Sequence, residues 1–215
     1  MNPEPTVFLV DDEASVLKAL SRLLRSAGLN TEAFRSPEDF LQHYDPHAPG
    51  CLVLDVAMPR LNGLDLQRAL ADKGAQLPII FLTARGDIPM SVQAMKQGAV
   101  DFLTKPANDE DLLSAIRAAI DRDRASRQAG AERSRIRQQL AMLTPREREV
   151  LHHIIAGKLN KQVAAELGIA EKTIKVHRAR VMKKMNVRSL AELVRVAEHA
   201  GIKPARGAVQ KRLII

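Results

Sequence analysis

Through the first 120 residues, short apolar runs alternate with stretches whose apolar residues recur at helical spacing, and no other feature constrains the fold as much. The runs lie at 6–10, 30–34, 51–54, 78–82 and 100–103, each of strand length. Between them Leu17, Leu20 and Leu24 recur at helical spacing, Leu64, Leu66 and Leu70 more loosely, then Val92 and Met95, and finally Leu112, Ile116 and Ile120. Strands alternating with helices predict a five-stranded parallel sheet covered on both faces. Runs such as Leu52-Val53-Leu54 and Ile79-Ile80-Phe81-Leu82 fit strands buried on both sides.

From 121 to about 140 the pattern lapses. Arg122, Arg124, Arg127, Arg133, Arg135 and Arg137 alternate with Asp, Glu, Ser and Ala, which reads as a partly helical linker with Gly130 as its weak point. Beyond Leu143 helical signals return without strands. Thr144-Pro145 forms an N-cap followed by proline at the first helical position, with Glu147 at the capping-box position. Four helices are expected, at about 145–156, 161–167, 171–185 and 190–200, with Gly157 closing the first and Asn160 capping the second. Ala164 lets two helices approach closely, Gly168 permits a tight turn and Ile174 anchors the helix that follows. This is the helix-turn-helix pattern, whose second helix enters the major groove. The predicted division is therefore an α/β domain at 1–120, a helical linker at 121–140, an all-α four-helix domain at 141–205 and a tail at 206–215.

Charge follows the same division. Residues 1–120 hold 11 Lys and Arg against 16 Asp and Glu, a net of −5; 121–140 carry +3; 141–215 hold 16 against 6, a net of +10. A basic second half is a candidate polyanion binder. Placing Ile174 inward puts Val181 and Met185 on the same buried face. Lys172, Val176, Ala179 and Lys183 then lie opposite, flanked by Lys175 and Arg180. That outer face offers ammonium and guanidinium groups to phosphates and base edges. The first five residues are polar and no run approaches membrane length, so neither a secretory leader nor a membrane span is expected. The only cysteine, Cys51, excludes an intramolecular disulfide and suits a reducing, cytoplasmic setting.

Carboxylates gather just beyond strand ends in the first half: Asp11 and Asp12 after the first strand, Asp55 after the third. In an open parallel sheet these ends converge on the ligand crevice. Carboxylates brought so close repel one another unless a cation joins them, and hard oxygen donors suit Mg²⁺. Thr83 and Lys105 end the fourth and fifth strands. Together these groups make a phosphoryl-transfer site, with Asp55 as nucleophile and Lys105 and Thr83 as hydrogen-bond donors to phosphoryl oxygens.

At these residues the first half resembles the receiver domains of two-component response regulators. The matching pieces are Val10-Asp11-Asp12-Glu13, Leu54-Asp55-Val56-Ala57-Met58-Pro59 with Asn62-Gly63, Leu82-Thr83-Ala84, Gly98-Ala99 and Lys105-Pro106. The resemblance implies a flavodoxin-like fold and assigns Asp11, Asp12, Asp55 and the Ala57 carbonyl to Mg²⁺. It implies phosphorylation of Asp55 by a sensor histidine kinase, with Phe102 at the family's aromatic switch position and Thr83 as its hydroxyl partner. Phosphate on Asp55 would draw Thr83 and Lys105 inward, and Phe102 would follow. The surface near 87–97 and 100–103 would then change and favour a homodimer.

The second half resembles the DNA-binding domain of the LuxR/FixJ/NarL type. The pieces are Leu143-Thr144-Pro145-Arg146-Glu147-Arg148-Glu149-Val150-Leu151, Gly157, Asn160-Lys161, Thr173-Ile174-Lys175-Val176-His177-Arg178 and Lys183-Lys184-Met185. The resemblance implies double-stranded DNA as partner, contacts from Thr173, Lys175 and Val176, and a last helix that contributes to dimerisation. Asn160, Lys161, Lys172, Ala179, Arg180 and Lys183 complete the expected interface, although Ala179 stands where some relatives carry a base-contacting lysine. The segments Thr83-Ala84-Arg85-Gly86-Asp87-Ile88-Pro89 and Asp101-Phe102-Leu103-Thr104-Lys105-Pro106 look closest to the FixJ branch. A transcription factor of this kind has RNA polymerase as a further partner.

Competing readings are plainer. A phosphohydrolase using Asp55 would need a general acid or base beside the nucleophile, and Ala57 cannot serve. A protein- or RNA-binding module is the third reading; outward-facing Lys and Arg on a recognition-type helix favour duplex DNA, and single-strand RNA readers present stacking aromatics, of which 141–215 contains none. His43 and His47 have metal-ligand spacing but Pro46 intervenes; His177 suits helix packing and Cys51 a buried, inert strand position. Leu213-Ile214-Ile215 fits either a frayed tail or a docking segment.

Overall fold

The computed structural model describes residues 4–84 and 88–205; Arg85, Gly86, Asp87 and the tail at 206–215 lie outside the described residues. The chain divides after Gln128 into two compact units. In the first, chain order runs β1 (Thr6–Val10), α1 (Ala14–Ser26), β2 (Asn30–Phe34), α2 (Pro37–His43), β3 (Gly50–Leu54), α3 (Gly63–Asp72), β4 (Ile79–Thr83), α4 (Ile88–Lys96), β5 (Asp101–Thr104) and the start of α5 (Asp109–Ala141). All strand pairs are parallel, in the order β2-β1-β3-β4-β5.

The two faces of the sheet separate by the two-residue period of a strand. Phe8, Val10, Leu52, Leu54, Ile79 and Phe81 point to one face, where Phe40 of α2, Leu66 and Leu70 of α3 and Ala94 of α4 cover them. Val7, Leu9, Cys51, Val53, Ile80 and Leu82 point to the other, under Leu17 and Leu24 of α1 and Leu112, Ile116 and Ile120 of α5. This is the doubly covered sheet expected from the apolar runs. One helix departs from the pattern: Val92 and Met95, together with Ile88, are exposed on α4, and its buried contact is Ala94.

The second unit takes up α5 from Ala129 and adds α6 (Pro145–Ile155), α7 (Asn160–Leu167), α8 (Glu171–Lys184) and α9 (Leu190–His199). Leu143, Val150, Leu151, Ile154, Val163, Ile174, Val181, Met185 and Leu193 form its core. The capping box holds: Thr144 Oγ1 accepts the Glu147 N–H at 3.3 Å, and Glu147 Oε2 accepts the Thr144 N–H at 2.9 Å. Gly168 sits at φ +64°, the left-handed turn between α7 and α8 that a Cβ would strain.

Two local expectations fail. Asn160 does not cap α7: Leu159 is the N-cap, its N–H bonded to Gln162 Oε1 at 2.8 Å, and Asn160 Oδ1 instead accepts from Arg178 Nη1 at 3.3 Å. Nor does Gly130 interrupt the linker, because α5 runs unbroken through it, flanked by strong helix formers. Residues 121–128 accordingly pack with the first unit rather than bridging freely.

Candidate functional site

Each pocket carboxylate is delivered by the sheet. The Asp11 N–H donates to Phe34 O at 3.2 Å and the Asp55 N–H to Val10 O at 2.9 Å, so both residues continue the strand ladder by one step. Asp11 is 4 % exposed and Asp55 6 %, while Asp12 is half-buried. Ligand atoms of Asp11, Asp12 and Asp55 all lie within 4.8 Å of one another. Lys105 enters from the end of β5, its N–H donating to Thr83 O at 2.8 Å. Its Nζ stands 2.6 Å from Asp11 Oδ2 and 3.3 Å from Asp55 Oδ2. Burial alone would lower the Lys105 pKa, but the hydrogen bond to Asp11 and the charges of Asp11 and Asp55 raise it above the ordinary lysine value.

The loop after β3 turns sharply away from Asp55. Val56 and Met58 turn inward and Ala57 outward, with the Ala57 N–H 3.4 Å from Asp55 Oδ1. The Gly63 N–H then donates to Val56 O at 3.0 Å, and a Cβ on Gly63 would come 2.3 Å from the Asp55 carbonyl oxygen. Only glycine lets α3 start this close behind the loop. Asn62 caps α3 by accepting the Asp65 N–H.

Thr83 is fully buried at the end of β4, opposite Thr104. Phe102 lies farther back, paired in register with Phe81 at 6.0 Å between ring centroids and half-buried. Alternation puts Phe102 and Thr83 on the same face, one strand over and two residues apart. Three carboxylates against one ammonium leave two negative charges among oxygen donors within bonding reach of a common point. That donor set and that charge fit a hard divalent cation.

α2 ends at His43, and His47 falls in the loop beyond, its N–H donating to Asp45 Oδ1 at 2.8 Å, so the two imidazoles do not share the helix that their spacing would need. Burial and the nearby Asp123 charge push the Cys51 thiol up to about 12, so it stays protonated and unreactive.

On the second unit, Lys172, Thr173, Lys175, Val176, Ala179, Arg180 and Lys183 are all exposed along α8, while Ile174, Val181 and Met185 are buried beneath it. Lys161 is exposed and Asn160 half-buried at the start of α7. Lys175 has only a loose partner, Glu171 Oε1 at 3.6 Å.

Sequence reasoning missed Asp123, a carboxylate 2 % exposed on α5. Its Oδ2 accepts the Gly50 N–H at 2.9 Å, and both its oxygens accept from Arg127 Nε. Arg127 goes on to His47 O at 3.0 Å and Ala48 O at 2.6 Å, fastening α5 to the segment that leads into β3. The i, i+4 spacing of Asp123 and Arg127 was the available signal.

A pocket of this chemistry on one unit and a basic helix-turn-helix on the other define a class, the DNA-binding regulators governed by a receiver. Comparison with known proteins agrees. Residues 7–117 match the response regulator receiver domain and residues 141–197 the luxR family of bacterial regulatory proteins. Nodulation protein W of Bradyrhizobium diazoefficiens is 50 % identical over 91 % of this chain and 86 % of its own length. Transcriptional regulatory protein FixJ of Azorhizobium caulinodans is 42 % identical over 94 % of this chain and 96 % of its own. The solved structure of the response regulator StyR is 49 % identical, covering 91 % of this chain and 99 % of that one with a TM-score of 0.86. The chain belongs to the response regulators that join a receiver to a LuxR-type DNA-binding domain, and it is a transcriptional regulator rather than a phosphohydrolase. Among the described residues no helix is long and apolar enough to cross a membrane.

Proposed function

We propose that Asp55 accepts a phosphoryl group from a sensor histidine kinase and that this event promotes dimerisation and sequence-specific binding of duplex DNA. The single observation that carries the reading is the convergence of Asp11, Asp12 and Asp55 within 4.8 Å, with Lys105 reaching two of them. In the transfer, a carboxylate oxygen of Asp55 forms a bond to phosphorus as the bond from phosphorus to the donor's imidazole nitrogen breaks, its electron pair returning to the ring. Lys105 can exchange one carboxylate partner for a phosphoryl oxygen without leaving the pocket, and the Thr83 hydroxyl donates to another. Mg²⁺ held by Asp11, Asp12, Asp55 and the Ala57 carbonyl would supply charge neutralisation for the phosphoryl oxygens. Phe102 follows Thr83 along their shared face and alters the outer surface of α4 and β5.

The DNA-facing set is Asn160, Lys161, Lys172, Thr173, Lys175, Val176, Ala179, Arg180 and Lys183. Two copies would read two half-sites of a partly palindromic sequence, with RNA polymerase as the further partner and the cytoplasm as location. The functional division is a receiver at 1–120, a helical linker at 121–140, a DNA-binding domain at 141–205 and a tail at 206–215, the linker's first turns packing on the receiver.

A mobility-shift assay on duplex selected from a random pool tests this, with acetyl phosphate and Mg²⁺ as donor mixture. The donor is expected to tighten binding by the wild type and to leave Asp55→Ala unmoved. An equal response from Asp55→Ala would remove Asp55 from the mechanism.

A further inference from the structure

Lys183 and Lys184 are neighbours of identical chemistry in opposite surroundings. One residue along a helix turns the side chain by about 100°, so Lys183 is exposed while Lys184 is half-buried. Lys184 Nζ lies 2.6 Å from Glu147 Oε2 and donates to Met142 O at 3.0 Å. The same Glu147 oxygen accepts the Thr144 N–H that closes the α6 cap. Glu147 is 2 % exposed, and a carboxylate that deep requires a partner.

Cations also meet the end of α5. Arg148 Nη2 donates to Leu140 O at 3.2 Å, and Lys184 takes the Met142 carbonyl just beyond, where the helix dipole favours positive charge. Leu140 and Leu143 share a core with Ile174, Val181 and Met185 of α8. The last turn of α5, the cap of α6 and the last turn of α8 therefore meet at one ammonium group.

We infer that Lys184 is a positioning residue for DNA recognition: it fixes the rotation of α8 against the end of α5 and the cap of α6, and so determines which side chains of α8 face outward. The inference rests on the reading of α8 as the DNA-contacting helix. Lys184 lies on the flank of that face beside Arg180, with its ammonium directed inward to Glu147, and acts through Val176, Arg180 and Lys183, whereas Lys183 meets phosphate directly. Losing the Lys184 ammonium would leave Glu147 buried without its cation, and α8 would turn or lift to let water in.

The test uses the full chain and the selected duplex, with binding followed by fluorescence anisotropy across salt concentrations. It is run at a temperature where far-UV circular dichroism shows every variant folded. Lys184→Met is expected to weaken binding about tenfold, the order of one misplaced base contact, with an unchanged salt slope. Lys184→Arg is expected to recover most of that loss. Lys183→Gln, which removes a phosphate contact, should flatten the slope by about one unit.

If Lys184→Met lowers the melting temperature but leaves affinity intact, Lys184 is merely structural and the inference falls. It falls equally if Lys184→Met flattens the slope as Lys183→Gln does, since that marks direct phosphate contact. Should Lys184→Met fail to fold, Glu147→Gln keeps the shape and removes the pairing charge; weaker binding at constant slope supports the inference and unchanged binding overturns it. Lys175→Gln separates the parent reading: if neither it nor Lys183→Gln affects binding, α8 is not the DNA helix, whatever Lys184 does.

Discussion

In the first unit the charges of the proposed phosphoryl site are buried and crowded. Asp11, Asp55 and Lys105 close on one another at the carboxyl ends of the strands, and at the other end Asp123 and Arg127 hold α5 to the entry of β3. On the second unit the cations of the α8 outer face and of the start of α7 lie in water, and Lys175 has only the loose partner Glu171. Burial makes a charge selective, because a small rearrangement of partners changes its energy greatly. Exposure makes it additive, because each cation contributes a similar increment to the attraction for a polyanion. A single event at one point suits the first arrangement, and recognition of an extended phosphate backbone suits the second.

The largest test of this contrast is Asp123→Ala. It strands the Arg127 guanidinium among backbone carbonyls and leaves the Gly50 N–H without its acceptor. Loss of about 3 kcal/mol from the first unit is expected, the lower end for a broken buried pair because Arg127 is partly exposed. The chain has one tyrosine and no tryptophan, and Tyr44 belongs to the first unit, so tyrosine fluorescence in a urea titration follows that unit alone. A change below about 0.5 kcal/mol, the level of an exposed pair, would break the contrast.

These buried charges also mark where sequence reading stops. The strands at 6–10 and 30–34 match β1 and β2 to the residue, and the rest differ by a residue or so at their ends. Continuous apolar runs followed by Asp or Thr, as in β1, β3 and β4, leave little choice of period or boundary, whereas β2, at Asn30–Phe34, is mostly polar and exposed. The acidic pocket was equally legible, because all its side chains follow strands and a parallel sheet brings strand ends together. The Asp123–Arg127 clamp was not: its remote partners are backbone atoms of His47, Ala48 and Gly50, which any residue type offers. The cap of α7 failed for a related reason. Asn160 is a good N-cap by type, but Arg178 claims its side-chain oxygen and the helix starts one residue early. Helical spacing put Lys183 on the outer face, but that Lys184 pairs with Glu147 could not be read until the burial of Glu147 was known.

Glu147 is the exception that sharpens the comparison, a buried carboxylate in the unit whose outer-face cations lie in water. Its hydrogen bond from Lys184 holds its pKa below the ordinary carboxylate value, with burial opposing and the Thr144 hydrogen bonds assisting. A depressed folded-state pKa contributes stability that is complete above the unfolded value, about 4.3, and is lost as pH falls through the folded value. Glu147→Gln should therefore lower the urea midpoint of the second unit at pH 7 and pH 5. The gap from wild type should narrow as pH drops below about 4. Far-UV circular dichroism reads the helices of this unit after the tyrosine transition has been accounted for. A gap that stays constant with pH would mean that the Glu147 charge contributes nothing and that the second unit has no buried ionic element.

The smallest expected effect concerns α5, the one element that belongs to both regions. Gly130 lies two residues past the point where the units divide, in a helix that continues on both sides. A Cβ added there meets nothing within 4 Å, and the residue is exposed. Alanine restricts the unfolded chain more than glycine does and fits a helix without strain, so Gly130→Ala should stabilise the chain by about 0.5–1 kcal/mol. The gain should appear in the far-UV signal and hardly at all in Tyr44 fluorescence, since the clamp at Asp123 and Arg127 already holds the helix on the first-unit side. If Gly130→Ala destabilises instead, residue 130 is not helical in solution, and α5 is interrupted at the point where the units divide.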